Sequence, residues 1–260
     1  MNNAQPHTLK EWLAYAENSH PLNIDMGLQR VREVAERLDL LDARGIRYII
    51  VAGTNGKGST STAIAALLTQ AGLKTGSTLS PHVHRFNERV QINGQELDDA
   101  ALCAAFARVD NARSEIPLTY FEFSTLVALE SFRQAAVDVA VLEVGLGGRL
   151  DAFNIISADV AVVTSIGLDH QDFLGDDLEQ IGREKAGVFR AGAPVILGHV
   201  TDSVRVAAAE LNCPTQELGV DFELTEQAES WSYVSRDRNL PDLPRGVLAP
   251  TNLALAITAA

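Results

Sequence analysis

The sequence has little that would point to secretion, a membrane or nucleic acid. Its 260 residues include only two cysteines, Cys103 and Cys213, whose spacing fits neither a zinc site nor a disulfide framework. No apolar run is long enough to span a bilayer, and segment 1–6 lacks the basic start and apolar core of a signal peptide. Lys and Arg total 21 against 34 Asp and Glu, so the formal net charge of −13 repels nucleic-acid phosphates. We therefore expect a cytoplasmic protein that binds neither membranes nor nucleic acid. We also expect it to be a monomer.

What the chain does contain is an alternation of apolar runs and helical patterns. Near-continuous runs of Val, Ile, Leu and Ala, typical of parallel strands covered on both faces, predict strands at 137–144 and 160–166. Strands are also predicted at 48–51, 74–79 and 194–197. Helical patterns predict helices at 28–41, 61–68, 98–109, 121–134 and 177–188. The alternation predicts an α/β fold with a three-layer, mostly parallel sheet. Segment 82–95, with a turn at Asn93 and Gly94, is predicted to be a mobile loop or a hairpin.

The two ends of the chain suggest its domain organisation. Residues 1–45 are predicted to be a helical lead-in that belongs to the same domain as residues 46–260. Segment 250–260 begins an apolar-faced helix with no glycine cap, basic last turn or proline to end it. We therefore expect a truncated central domain, and a further C-terminal domain that is absent from this chain.

A glycine-rich loop between a predicted strand and a predicted helix is the most informative motif. It is segment 53–59 (GTNGKGS). Its glycines let backbone N–H groups point into one concavity, the helix N-terminus adds roughly half a positive charge, and Lys57 can reach the terminal phosphates of a nucleotide. The loop is shorter than the common P-loop, and Gly58 replaces the Ser or Thr that usually follows the lysine. A glycine-rich turn without a ligand is the alternative.

Polar groups follow three other predicted strands, at the sheet edge where α/β proteins bind ligands. These groups are the side chains of Ser80, Glu143 and His170. A hydroxyl, a carboxylate and an imidazole beside triphosphate oxygens are suitable groups for magnesium. Each side chain could instead have a purely structural role, because Glu143 could pair with Arg149, His170 could cap a helix, and Ser80 could start a turn. Lys185 would ordinarily be a solvated helix lysine.

These motifs stand in the order found in the Mur ligase superfamily. Within it, the chain resembles the folylpolyglutamate synthases, which are often bifunctional with dihydrofolate synthase. The resemblance covers nearly the whole chain. The matching segments are 53–59 (GTNGKGS), 80–82 (SPH), 143–151 (EVGLGGRLD), 169–170 (DH) and 184–187 (EKAG). Two more are similar to the pterin-site segments of that family, 23–28 (NIDMGL) and 119–123 (TYFEF).

The resemblance implies an amide ligase that uses ATP and magnesium. ATP would phosphorylate the carboxylate of dihydropteroate or a (tetrahydro)folate, and the amine of L-glutamate would attack the acyl phosphate. Lys57, Lys185 and His170 would be catalytic, and Lys185 would be carbamylated. The residues implied to bind ATP are Gly53, Thr54, Asn55, Gly56, Lys57, Gly58, Ser59 and, at the adenine, Asn252. Those implied to hold magnesium are Ser80, Glu143 and His170. Those implied to contact the pterin are Met26, Gly27, Leu28, Thr119, Tyr120, Phe121, Glu122 and Asp151.

The chain departs from the family in the expected loss of the C-terminal domain, which completes the ATP site and helps to bind glutamate. We therefore expect the isolated chain to bind nucleotide weakly and to ligate poorly or not at all. Two other functions stay open. A peptidoglycan-type Mur ligase would carry a UDP-binding domain before the loop, but only 52 residues precede Gly53. A non-catalytic P-loop protein would be expected to carry a standard Gly-Lys-Ser/Thr or an Asn-Lys-x-Asp motif, and neither occurs.

Overall fold

The computed structural model describes residues 6–42 and 45–260. Its strands are β1 Arg47–Ala52, β2 Thr75–Thr78, β3 Val90–Ile92, β4 Gln95–Glu96, β5 Val139–Glu143, β6 Val160–Ser165, β7 Val195–His199, β8 Thr215–Glu217, β9 Phe222–Glu226, β10 Ser230–Ser235 and β11 Asn239–Pro244. Its α-helices are α1 Leu9–Glu17, α2 Gln29–Arg37, α3 Lys57–Gln70, α4 Asp99–Arg113, α5 Tyr120–Ala135, α6 Gln171–Leu174, α7 Leu178–Ala186, α8 Asp202–Glu210 and α9 Pro250–Ala259. Short 3₁₀ helices lie at Phe86–Arg89 and Ala152–Ile155. Residues 1–5, which belong to segment 1–6 where no signal peptide is predicted, and residues 43–44 near the end of the predicted lead-in lie outside the described residues.

Eight strands form the central sheet, in the order β4-β3-β2-β5-β1-β6-β7-β8. In that order, the strands from β2 to β8 pair in parallel, whereas β3 runs antiparallel to both of its neighbours. Each of the five predicted strands lies in this sheet. Asn93 and Gly94, with φ angles of 51° and 71°, form the turn between β3 and β4. Segment 82–95, for which either a mobile loop or a hairpin was predicted, therefore contains a hairpin.

The two faces of the sheet bury separate apolar clusters. On β1, Tyr48 and Ile50 belong to one cluster, and Ile49 and Val51 belong to the other, as the alternation of side chains along a strand requires. The first cluster includes buried residues of α1, α2, α4 and α5, and the second includes those of α3 and α9. Helices thus cover both faces, and the prediction of a three-layer, mostly parallel α/β fold is confirmed.

A second sheet of three antiparallel strands, ordered β11-β10-β9, is missing from the sequence prediction. Phe222, Trp231 and Tyr233 bury their rings in the cluster that includes α9. Most other positions of β9 and β11 are exposed or half-buried, so neither strand carries the apolar run by which a strand is predicted. The three rings extend the second apolar cluster beyond the central sheet.

Side-chain caps fix where the helices near the sheet edge begin. Asp98 accepts a hydrogen bond from the Ala101 N–H at 2.8 Å, at the start of α4. Thr119 and Glu122 form a capping box at the start of α5, where the Thr119 N–H lies 2.8 Å from Glu122 Oε2. No helix in the described part of the chain is both long enough and apolar enough to cross a membrane.

Candidate functional site

The glycine loop lies between β1 and α3, and close contacts require two of its glycines. Gly53 has a φ of 143°, and a Cβ built there would lie 2.0 Å from Thr164 Oγ1. Gly56 has a φ of 85°, and a Cβ there would lie 2.4 Å from Asn252 Oδ1. Side chains other than hydrogen are strained at such φ angles and would not fit in these spaces. The structure thus brings Asn252 of α9 against the loop.

The end of β6 holds the loop in place, a role that the sequence did not predict. The Thr54 N–H donates to the Ser165 carbonyl oxygen at 2.7 Å, and the Asn55 N–H donates to Ser165 Oγ at 3.2 Å. Thr164 Oγ1 donates to the Asn55 carbonyl oxygen at 2.6 Å. The loop is therefore fixed by the protein itself. The first-turn N–H groups of α3 have no intrahelical acceptors, which makes the start of this helix suitable for an anion.

Two lysine side chains meet at the carbonyl oxygen of Gly53. Lys57 Nζ donates to that oxygen at 3.0 Å and to the Thr54 carbonyl oxygen at 3.2 Å. Lys185 Nζ, on α7, donates to the Gly53 oxygen at 3.0 Å, although only 2% of this residue is exposed. Burial, and then the charge of Lys57, lower the pKa of Lys185 to about 8. Lys185 is therefore not the solvated helix lysine that was its alternative.

Glu143 is a buried carboxylate between the loop and Ser80. Its Oε2 accepts a hydrogen bond from the Ser80 N–H at 2.6 Å, and a Cβ built on Gly58 would lie 3.3 Å from its Oε1. Burial raises the pKa of Glu143, and the bond from Ser80 opposes that shift. Arg149 is not its partner, because Arg149 Nε donates to Glu184 Oε1 at 2.9 Å. The alternative of a pair between Glu143 and Arg149 is therefore wrong.

The predicted magnesium ligands lie near one another but do not enclose an ion by themselves. Ser80 contacts Glu143 and lines the same cavity as His170. His170 has a φ of 45°, and its side chain is 52% exposed. Among residues 6–42 and 45–260, no group of three or more His, Cys, Asp or Glu residues could hold an ion. The donors still fit magnesium, which proteins usually hold by one or two carboxylates together with water and phosphate oxygens.

A cavity of about 330 Å³ is lined by Ser80 and His170, segment 23–27, the start of α5 and parts of segment 145–152. The predicted substrate residues that line it are Met26, Gly27, Thr119, Phe121, Glu122 and Asp151. Leu28 instead precedes α2 and packs against the first apolar cluster. Tyr120 does not line the cavity itself, and its ring centroid lies 5.6 Å from the guanidinium carbon of Arg89, which does. The cavity suits a largely apolar ligand with a few polar groups.

Asp151 is a buried carboxylate in the cavity wall. It accepts backbone hydrogen bonds from Gly145 at 2.9 Å, Leu146 at 3.1 Å and Phe153 at 2.9 Å. Burial raises the pKa of Asp151 to about 6, although these three N–H groups favour the ionised form. Asp151 thus fixes the turn that follows β5 and, through it, one side of the cavity.

An ion-pair chain that the sequence did not predict ties segment 23–27 to α5. Arg30 Nη1 lies 2.7 Å from Asp25 Oδ2, and Arg30 Nη2 lies 3.2 Å from Glu122 Oε1. Asp25 and Glu122 both line the cavity. Because only 4% of Glu122 is exposed, removing Arg30 would leave a buried carboxylate without its counter-ion. Glu122 therefore has a structural partner in addition to any ligand.

The chain matches known proteins over nearly its whole length. A family profile for the Mur ligase middle domain matches residues 51–237. The dihydrofolate synthase/folylpolyglutamate synthase of Escherichia coli is 47% identical over 253 residues, which are 96% of this chain and 60% of that protein. A solved structure of Escherichia coli FolC in complex with DHPP and ADP has a TM-score of 0.95 at 46% identity, and the match covers 99% of this chain and 63% of that one.

A second similar solved structure contains ligands other than DHPP and ADP. It is a bifunctional folylpolyglutamate synthase/dihydrofolate synthase with Mn, AMPPNP and L-glutamate bound. Its TM-score is 0.90 at 46% identity, and the match covers 100% of this chain and 63% of that one. The chain thus spans about three fifths of the length of the curated relatives it matches.

Proposed function

We propose that this chain is the ATP-binding part of an amide ligase, because it belongs to the Mur ligase family through its middle domain. The proposed reaction adds L-glutamate to dihydropteroate, to a (tetrahydro)folate, or to both. ATP would phosphorylate the substrate carboxylate, and the amine of glutamate would attack the acyl phosphate and release phosphate. The names of the relatives support the proposal, as do the ADP, DHPP, AMPPNP and L-glutamate in the solved structures.

The observation that carries the proposal is that one carboxylate joins the phosphate loop to the cavity. Glu143 lies 3.3 Å from the position of a Cβ on Gly58 and 2.6 Å from the Ser80 N–H. Ser80 in turn lines the cavity. A triphosphate on the loop and an acid in the cavity would therefore present their reacting ends to the same small region. Such positioning supplies much of the rate in a phosphoryl transfer.

The charges in that region suit a reaction between two anions. A carboxylate and a γ-phosphate about 4 Å apart repel by roughly 4 kcal/mol at an effective dielectric constant near 20. Lys57, hydrogen-bonded to the loop at 3.0 Å, would offset part of this repulsion. A magnesium ion, to which Ser80, Glu143 and His170 would contribute donors, would stabilise charge on the transferring phosphoryl group.

Lys185 has the protonation behaviour that carbamylation requires. The neutral amine is the reacting form, and with a pKa of about 8 roughly a tenth of the Lys185 amines are neutral near pH 7. Carbon dioxide would add to Nζ with loss of a proton and leave an anionic carbamate. This reaction would replace a cation beside the loop by an anion, and the anion would favour binding of a divalent cation there.

The proposed binding residues fall in two groups on either side of Glu143. The phosphates would lie on the loop and the start of α3, and the adenine would lie near Asn252, whose Oδ1 reaches the space beside Gly56. The pterin would occupy the cavity. Thr119, Phe121, Glu122 and Asp151 would border the pterin together with Met26 and Gly27.

Residues 46–260 are proposed to form the ATP-binding domain, with the helices of segment 1–45 as part of it. Support comes from α1 and α2, whose buried residues share one apolar cluster with α4 and α5. Glutamate transfer is proposed to need the additional length that the relatives have. Robust glutamate-dependent phosphate release by residues 1–260 alone would contradict this assignment.

The nucleotide site is tested by calorimetric titration of the chain with ATP and magnesium. Lys57→Met should weaken binding by about 10-fold or more, because a charge-assisted contact to phosphate is lost. Lys10→Met, at an exposed position of α1, is the matched control and should bind as the wild type does. Equal affinity in both variants would contradict the assignment of the loop.

The reaction is tested by ADP release from ATP, with the chain joined to the remaining length of its relatives. The substrates are dihydropteroate, tetrahydrofolate and a UDP-sugar peptide, each with and without L-glutamate. We expect glutamate-dependent ADP release with one or both pterin substrates. Release with the UDP-sugar peptide alone would instead identify a peptidoglycan-type ligase, and release with none would favour a non-catalytic nucleotide-binding protein.

The proposal also places the protein in the cytoplasm as a monomer. Cys103 and Cys213 are both free, which fits a reducing compartment. Light scattering after size exclusion is the direct test of the monomer. A mass of twice 28.0 kDa for the chain would contradict it.

A further inference from the structure

Arg89 carries a positive charge to the cavity wall on a side chain that is held in place. It ends the 3₁₀ helix Phe86–Arg89 and lines the cavity with Ser80. Its guanidinium carbon lies 5.6 Å from the Tyr120 ring centroid and 6.0 Å from the Phe86 ring centroid, within the range of cation–π contacts. Its Nε donates to His82 Nδ1 at 2.8 Å. Two rings and one imidazole therefore restrict the orientation of the guanidinium.

The outer edge of this guanidinium is available to a ligand. In the part of the chain that the structure describes, neither Nη group of Arg89 has a hydrogen-bond acceptor, and no carboxylate lies within ion-pair distance. Of the described residues that line the cavity, Arg89 is the only Lys or Arg, among the acidic side chains of Asp25, Glu122 and Asp151. Glu143 is close enough for its charge to act on Arg89, but it makes no ion pair with the guanidinium, so the two donor groups of this half-buried cation are left for a ligand.

We propose that Arg89 binds the carboxylate of the substrate in the cavity, and that His82 is a positioning residue that holds the guanidinium for this contact. The inference rests on the proposed function, because that function brings a carboxylic acid to this cavity. A planar guanidinium matches a planar carboxylate through two parallel hydrogen bonds. Arg89 lines the cavity with Ser80, and both residues also border a small second cavity with Glu143. The carboxylate would therefore be held beside Ser80 and Glu143, where the phosphoryl group must arrive.

The charges distinguish a carboxylate from a phosphate as the partner of Arg89. The phosphate loop has its own cation in Lys57, whose Nζ lies on the loop carbonyl oxygens of Gly53 and Thr54. Arg89 belongs to the cavity, on the other side of Glu143. The cavity otherwise presents acidic and apolar groups together with uncharged polar ones such as Asn23, Ser80 and Thr119, and its carboxylates would repel an acid without this one cation.

The test is calorimetric binding of two probes to the full 260-residue chain: dihydropteroate, and its neutral carboxamide. We expect Arg89→Ala to weaken dihydropteroate binding by about 10- to 100-fold, the range for a lost charge-assisted hydrogen bond, and to change carboxamide binding little. Arg85→Ala is the matched control, because Arg85 lies on the same turn but pairs with Glu96 at 2.7 Å with 67% of its side chain exposed. It should leave both affinities unchanged.

The positioning role of His82 has its own readout, the ratio of the two affinities. His82→Ala should lower the preference for the acid over the carboxamide, and His82→Gln, which keeps an acceptor for Arg89 Nε, should restore most of it. A merely structural role would lower both affinities together and leave the ratio unchanged. Retained ADP binding in each variant shows that the chain is folded. If Arg89→Ala does not fold, Arg89→Gln is measured in its place.

The outcomes separate this inference from the proposed function. Equal losses for acid and carboxamide in Arg89→Ala, or no loss for either, overturn the inference while the function stands. If the wild-type chain binds neither probe at millimolar concentration, the proposed substrate and the inference both fail. A selective loss for the acid supports both.

Discussion

Replacing Lys185 by Met should make the protein more stable near neutral pH, although it should impair function. Only 2% of Lys185 is exposed, and burial lowers its pKa from 10.5 to about 8. Each pKa unit corresponds to ~1.4 kcal/mol, so keeping this amine charged in the fold costs about 3 kcal/mol at pH 7. The variant also loses the hydrogen bond from Lys185 to the Gly53 carbonyl oxygen, which lowers its gain in stability by ~1–2 kcal/mol. Lys57 still donates to the same oxygen. The variant should therefore gain about 1–2 kcal/mol.

The pH dependence of this gain follows from the sign of the pKa shift. Between about pH 8 and pH 10.5 the unfolded chain binds more protons at Lys185 than the folded chain does, so the wild type gains stability as pH rises through this window. Lys185→Met has no such group. Its advantage should shrink by about 2 kcal/mol between pH 7 and pH 9.5.

Urea unfolding at several pH values in buffers free of carbon dioxide measures both effects. Arg183→Met is the control, because Arg183 lies on the same helix but is exposed. The control should show neither the gain at pH 7 nor the change with pH. A Lys185→Met variant that is less stable than the wild type at pH 7, or a stability difference that stays constant with pH, would refute the reasoning.

Three further changes test the loop and the cavity wall. Gly53→Ala places a Cβ 2.0 Å from Thr164 Oγ1 at a φ of 143° and should lower the free energy of unfolding, measured in urea, by ~2 kcal/mol or more. The control is Gly246→Ala, whose Cβ would have no atom within 4 Å and which should change this free energy very little. Similar values for the two variants would contradict the packing at Gly53. Thr164→Val removes the 2.6 Å hydrogen bond to the Asn55 carbonyl oxygen and should weaken calorimetric ATP binding by about 5- to 10-fold, so unchanged affinity would show that the loop does not need this anchor. The pKa of Asp151 is raised from 3.8 to about 6, so the folded wild type holds the extra proton and should lose up to ~3 kcal/mol of stability as pH rises from about 4 to about 6. Asp151→Asn should lack that decline. A pH profile of stability identical to that of the wild type would show that Asp151 does not have the raised pKa.

The sequence predicted five of the eight strands of the central sheet, and most of these five have a strong and simple pattern. Val139 to Leu142, for example, are all buried, and a run of such residues is what a parallel strand covered on both faces needs. The strands β9 and β11 expose most of their positions, so no comparable run marks them. Only the packing of Trp231 and Tyr233 against the α9 cluster defines that sheet.

The glycine loop was predictable because its strand, glycines, lysine and helix are contiguous in the chain. Its anchors were not, because Thr164 lies 109 residues from Asn55, and a Thr-Ser pair at a strand end has no distinctive spacing. Lys185 lies 132 residues from Gly53, and its burial depends on how α7 packs against the loop. The same limit hid Arg89, whose environment of Tyr120 and His82 exists only in the folded chain.

The proposed function requires the site to activate a carboxylate by transferring a phosphoryl group to it. It is tested most directly with dihydropteroate that carries ¹⁸O in its carboxylate, incubated with ATP, magnesium, L-glutamate and the chain joined to the remaining length of its relatives. Because the readout is the isotope content of the phosphate formed, it does not depend on how fast the chain turns over. We expect one ¹⁸O atom in each phosphate released with amide formation. Phosphate that carries oxygen only from ATP and water would contradict it.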